Sequence, residues 1–228
     1  MNKYREFKVP DFSKIFLIQS IVFLTAMVLL SLFLAWLFGI NPFLRMHFNA
    51  VDIAVGIGAA AVMLAIFYNV KGPREQAQKV LGGVLTELSW GTLLFLALFV
   101  GFAEELLFRG VLEPWVARWD PIWALILVNI LFGVLHSLSV QYAIVAGILG
   151  GLMSLLAYGP GGDNLLRAMV THGVYDFLGF LWIAHAARKE LKESVETAQA
   201  NAVEADDFSL DSTDDVFIDE VTPPSPHG

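Results

Sequence analysis

The sequence predicts an all-α, polytopic membrane bundle of about six transmembrane helices that ends in a disordered acidic tail. Three observations predict it. Of 228 residues, 57% are hydrophobic, and the mean hydropathy is +0.65; a soluble domain sits nearer about 45–50% apolar. Six apolar runs, 15–38, 51–68, 90–112, 122–138, 141–158 and 165–187, approach the roughly 20 residues that a helix needs to cross a bilayer. Finally, no Lys or Arg follows Lys192, whereas ten acidic residues do, from Glu193 to Glu220.

Each element has its own grounds. The first run follows Lys3, Arg5, Lys8 and Lys14 and is too long for a signal h-region; with no small-x-small cleavage site after it, it reads as a retained span. The second and fourth runs are short, which calls for tilt or local thinning. Asn41-Pro42, Lys71-Gly72-Pro73, Asp120-Pro121 and the run Gly159-Pro160-Gly161-Gly162 punctuate the spans as turns. Residues 73–89, between the second and third spans, form an amphipathic segment suited to the membrane surface. The chain therefore divides into an N-terminal membrane region at 1–89, a core at 90–190 and a tail at 191–228. The tail cannot bury enough apolar surface to offset its chain entropy. Within it "DDVFIDE" is either plain solvated chain or a docking segment for a cytoplasmic partner. Gly147 and Gly151 form a G-x-x-x-G pattern that predicts close helix packing.

Charge sets orientation and excludes some functions. Ten Lys and Arg residues flank the N-terminal side of the membrane against Arg45, Arg109, Arg118 and Arg167 on the other. By the positive-inside rule both termini are cytoplasmic, in a cell (plasma or inner) membrane, with Trp115, Trp119 and Trp123 at the outer interface. The net charge of −8 resides in the tail; setting its ten acids aside leaves 12 acidic against 14 basic residues. No basic patch with interleaved aromatics is present, so nucleic acid is not an expected partner. The absence of cysteine excludes disulfides, thiolate metal sites and a cysteine nucleophile.

Ionisable groups inside a bilayer cost about 2.5–3.5 kcal/mol each on insertion scales and tend to mark function. Three helical motifs contain them. In "EELLFR", Glu105 and Arg109 are four apart and share a helix face, while Glu104 lies ~100° around the helix, outside that pair. A helix-packing ion pair is the structural alternative. In "FGVLH", Phe132 and His136 share a face, so the ring can wall off one side of the imidazole. Asn129, seven residues before His136, lies on nearly the same face and is a candidate cavity-lining residue. In "HGVYD", His172 and Asp176 are again four apart; the carboxylate can fix the imidazole tautomer, or both can ligate a metal. A hairpin about Asp120-Pro121 sets Glu104 and His136 at matching depth, each ~24 Å along its arm. Simple helix lengths place His172 roughly 10 Å nearer the outer surface, unless spans tilt or the 137–141 connection is irregular.

The ordered set Glu-Glu-x-x-x-Arg, Phe-x-x-x-His and His-x-x-x-Asn/Asp resembles the CPBP family: type II CAAX prenyl proteases and their Abi, bacteriocin-immunity-like relatives. The resemblance covers about residues 90–190. It implies an intramembrane peptidase in which Glu104 and His136 activate water and His172 and Asp176 stabilise the oxyanion. Glu105 and Arg109 match the supporting ion pair. Asp176 departs from the Asn of the prenyl protease and, when ionised, cannot donate to an oxyanion. It must orient His172, stay protonated or hold a cation.

The expected activity is hydrolysis of membrane-associated or lipidated peptides, with membrane lipid as the surrounding partner and no cofactor. Glu104, His136 and His172 also compose a His₂Glu set of the zinc-hydrolase kind, although no zinc-type local spacing accompanies them. Non-enzymatic alternatives are a proton-relay transporter, for which no broken-helix repeat is evident, and a membrane scaffold.

Overall fold

The computed structural model describes residues 12–159 and 163–211, with side chains to residue 202. Lys3, Arg5 and Lys8, the turn residues Pro160 to Gly162, and "DDVFIDE" lie outside the described residues. Every regular element is helical among those described. In chain order they are α1 (Phe12–Phe38), a 3₁₀ turn (Pro42–Arg45), α2 (Ala50–Asn69), α3 (Lys71–Leu85), α4 (Trp90–Leu107), a π-helical turn (Phe108–Leu112), α5 (Glu113–Val116), α6 (Pro121–Leu135), α7 (Val140–Ala157) and α8 (Leu165–Asp211).

Short polar side chains start the helices where the sequence changes character. Asn49 accepts from the Val51 and Asp52 amides, Ser89 from Thr92, Asp120 from Ile122 and Trp123, and Ser139 from Tyr142. Each meets backbone donors that the first helical turn cannot satisfy by itself. Asp120 with Pro121 behind it thus forms the expected hairpin. The Lys71-Gly72-Pro73 turn is displaced: the break falls at Val70, in extended conformation, and Lys71 already opens α3. Proline is tolerated there because the first helical turn has no use for its missing amide. The amphipathic face of α3 buries Pro73, Ala77, Gly82 and Leu85 against protein, so this segment is packed into the bundle and does not simply rest on a surface.

Among the described residues four stretches are long and apolar enough to cross a membrane: Phe12–Phe38, Ala50–Asn69, Trp90–Val116 and Val140–Ala157. The helix α6 is apolar but has 15 residues, about 22 Å at 1.5 Å per residue. The expected span at 165–187 is helical too, but Arg167, Thr171, His172 and Asp176 interrupt its apolar character. Two compact units are distinguished, residues 1–187 and 188–228. In the second unit the helix runs on to Asp211, well past residue 191, where disorder was expected to begin. Ala, Glu and Gln are good helix formers, and the pairs Lys189–Glu193 and Lys192–Glu196, both at 3.7 Å, add i,i+4 support.

Glycines let the core helices approach closely. A Cβ on Gly101 of α4 would lie 2.7 Å from the Gly173 nitrogen of α8. These two glycines lie beside Glu104 and His172 in sequence, so the crossing brings both motifs together. Between α6 and α7, a Cβ on Gly147 would lie 3.1 Å from the Asn129 carbonyl oxygen. Gly151, the other half of the expected G-x-x-x-G pair, meets open space; Gly150 is the second packed position. Gly101→Ala is therefore expected to cost about 1–3 kcal/mol by overpacking, read as a lower Tm in detergent. Gly83→Ala, where nothing lies within 4 Å, is the control; equal Tm values for the two would refute the crossing.

Candidate active site

Three helices and a π-helical turn deliver the polar groups. The α4 helix carries Glu104 and Glu105, and the π-helical turn after it carries Arg109; single π turns are often found at functional sites. His136 is the C-cap of α6, and α8 carries His172, buried, and Asp176, partly buried one turn further on. The start of α8 is sunk into the bundle. Leu165, Leu166 and Arg167 are all buried, Asp52 of α2 pairs with Arg167, and Thr171 Oγ1 donates to the Gly56 carbonyl at 3.1 Å. This entry corrects the depth mismatch expected from helix lengths: His172 Nε2 lies 3.9 Å from Glu104 Oε2.

His136 Nε2 lies 3.3 Å from the same Glu104 oxygen. The other nitrogen of each ring is committed elsewhere. His136 Nδ1 donates to the Phe132 carbonyl at 2.8 Å, and His172 Nδ1 bonds Glu105 Oε1 at 2.8 Å. Those bonds turn both Nε2 atoms toward Glu104. Its Oε2 is buried and has no hydrogen-bond partner among the described residues. In their neutral form the two Nε2 atoms are acceptors, as is the carboxylate. Acceptors thus converge on one point, an arrangement that calls for a proton-bearing group between them. Phe132 stacks on His136 at 4.3 Å between ring centroids, as their i,i+4 placement predicted, and also meets His172 edge-on at 6.2 Å.

Asp176 does not fix the His172 tautomer. Glu105 occupies Nδ1, and Asp176 Oδ2 faces Nε2 at 3.6 Å. Glu105 Oε1 is shared, since Arg109 Nη1 also donates to it at 3.0 Å, with both side chains fully buried. Arg109 is held in turn by Asn129 Oδ1 and the Gly150 carbonyl, each 2.7 Å from Nη2, and by Ser154 Oγ, 3.4 Å from Nε. Asn129 grips the arginine and donates to Ser154 Oγ at 2.9 Å, and it does not line the cavity that holds His136 and His172.

Two members of this network were not singled out from the sequence. Ser154 donates to Glu113 Oε2 at 2.7 Å, and Glu113 lies 4.0 Å from Arg109 Nε. Glu113 had a legible signal, four residues beyond Arg109. Ser154 had none, because nothing local marks it among the other small residues of α7.

A cavity of about 210 Å³ opens beside the cluster. His136, His172, Asp176 and Phe132 line it together with side chains of α2 and α7. The zinc arrangement of Glu104, His136 and His172 can be tested against this geometry. Glu104 faces His136 directly, and among the described residues no three His, Asp or Glu side chains form a group able to hold a metal ion.

Residues 86–178 match the family model described as Type II CAAX prenyl endopeptidase Rce1-like. No curated protein and no solved structure matches the chain.

Proposed function

We propose, from the match of residues 86–178 to the Type II CAAX prenyl endopeptidase Rce1-like family model, that Glu104, His136 and His172 hydrolyse peptide bonds within the membrane. The observation that supports this most is the unpartnered Glu104 Oε2, buried between two imidazole Nε2 atoms at 3.3 and 3.9 Å.

In this reading a water lies between Glu104 and His136. Glu104 takes one of its protons, and the water oxygen attacks the scissile carbonyl carbon. His172, protonated at Nε2, donates to the oxyanion; Glu105 at Nδ1 and Asp176 near Nε2 balance the imidazolium charge. Collapse of the tetrahedral intermediate breaks the C–N bond, and the departing amine takes the proton held by Glu104. Glu105, held by Arg109, orients His172. Asp176 thus has a role that needs no donation of its own.

The chain acts in a cell membrane with both termini cytoplasmic, on membrane-associated or lipidated peptides, and the acidic tail is available to a cytoplasmic partner. The site operates without a resident metal. Cleavage of a quenched-peptide panel, with and without a C-terminal farnesyl cysteine, by protein in liposomes tests the reading. Turnover is expected to be unchanged by a strong zinc chelator. Loss on chelation, restored by added zinc, would assign Glu104, His136 and His172 to a metal, and failure to cleave any peptide would remove the protease reading.

A further inference from the structure

The family match starts at residue 86, yet residues well before it hold the start of α8. Asn164, immediately ahead of α8, is buried and bonded on every side. Its Nδ2 donates to the His47 carbonyl and to Asp52 Oδ2, each at 2.7 Å. Its Oδ1 accepts from the His47 and Leu166 amides at 3.1 and 3.0 Å. Asp52, buried on the first turn of α2, also accepts from Asn49 Nδ2 at 2.8 Å and pairs with Arg167. One turn further along α2 the two helices touch. A Cβ on Gly56 would lie 3.0 Å from the Arg167 carbonyl oxygen, and the Gly56 carbonyl accepts from Thr171 Oγ1 at 3.1 Å. Thr171 is the residue before His172.

Apolar packing alone fixes the register of two membrane helices poorly, because lipid tails are as apolar as the side chains they replace. Directional polar bonds fix it. Asp52 Oδ1 takes Arg167, and Oδ2 takes Asn49 and Asn164, so both carboxylate oxygens are engaged. A slip of α8 by one residue would shift it by ~1.5 Å and turn it by ~100°. That slip would break the whole set and carry His172 away from both glutamates. Resting on the protease reading above, we propose that Asp52 is a positioning residue of the active site. With Asn164 and Gly56 it clamps α8 in the register that holds His172 Nε2 3.9 Å from Glu104 and His172 Nδ1 2.8 Å from Glu105. The region ahead of the matched segment thus sets the geometry of the catalytic core.

The test uses full-length protein in liposomes, with kinetics on the quenched peptides run well below each variant's Tm. Asp52→Asn keeps the shape of the side chain and removes the charge that holds Arg167. It is expected to lower kcat by roughly 10–100-fold, the scale of an ångström-sized misplacement, with KM within about twofold of wild type. Asp52 does not line the cavity beside the site, so substrate binding has no direct contact to lose. Thr171→Val, which deletes the bond to Gly56 at equal volume, is expected to act in the same direction, and Thr171→Ser to restore most of the rate. A second measurement needs no turnover: NMR of protein with nitrogen-labelled histidine, the His172 resonances being those lost in His172→Gln. The Nδ1 resonance reports the bond to Glu105. It is expected to move in Asp52→Asn and Thr171→Val and to hold its position in Thr171→Ser. An unmoved His172 resonance in Asp52→Asn, or a lower Tm with kcat unchanged, overturns the positioning role and leaves the protease reading intact. Should Asp52→Asn not fold, the Thr171 pair decides by the same criteria. Failure of wild type to cleave any peptide removes the protease reading, and the His172 resonances alone then decide the clamp.

Discussion

Glu104→Gln is expected to abolish most peptide hydrolysis, by roughly 10²–10⁴-fold in kcat, the usual contribution of a positioned general base. The amide has the shape of the carboxylate but cannot accept a proton to become an acid. It can also donate to His136 Nε2, which now lies 3.3 Å from Oε2, and so would close the space in which water is activated. The fold should survive, because the supporting ion pair is built on the neighbouring Glu105 and does not include Glu104. Side-by-side kinetics and thermal unfolding of the variant and wild type provide the check. Activity within a few-fold of wild type would remove Glu104 from the mechanism.

Arg109→Leu is expected to destabilise the protein by about 3–5 kcal/mol, the cost of stripping one partner from a buried pair. Arg109 is fully buried and donates to Glu105, Asn129, the Gly150 carbonyl and Ser154. Leucine would strip the cation from the buried Glu105 and Glu113 carboxylates and the donor from Asn129 Oδ1. Arg109→Lys should recover only part of the loss, since a point charge cannot replace a planar fork with donors in three directions. Thermal unfolding in detergent reads both variants, and a Tm for Arg109→Leu equal to that of wild type would refute the role. Surviving Arg109→Leu protein should also hydrolyse poorly, because Glu105 would no longer be held against His172 Nδ1.

The sequence alone determined that the chain is helical and built for a membrane, and it marked the three motifs on which the candidate site rests. The pairs Glu105–Arg109, Phe132–His136 and His172–Asp176 are each separated by four residues. Helix periodicity makes such neighbours certain once the helix forms, so these were legible without a fold. Asp120-Pro121 was legible for the same reason, as a local capping signal. The tertiary structure decided everything that passes between helices. It gave the His172 Nδ1 position to Glu105 and not to Asp176, turned Asn129 onto Arg109, recruited Ser154 and Glu113, and sank the start of α8 so that His172 reached Glu104. It also brought Met63 and Met153, 90 residues apart in the chain, to the one cavity beside the site. Such contacts depend on which glycines let two helices touch and on where a helix enters the bundle. Those quantities are fixed by packing among distant residues, and no local period in the sequence encodes them.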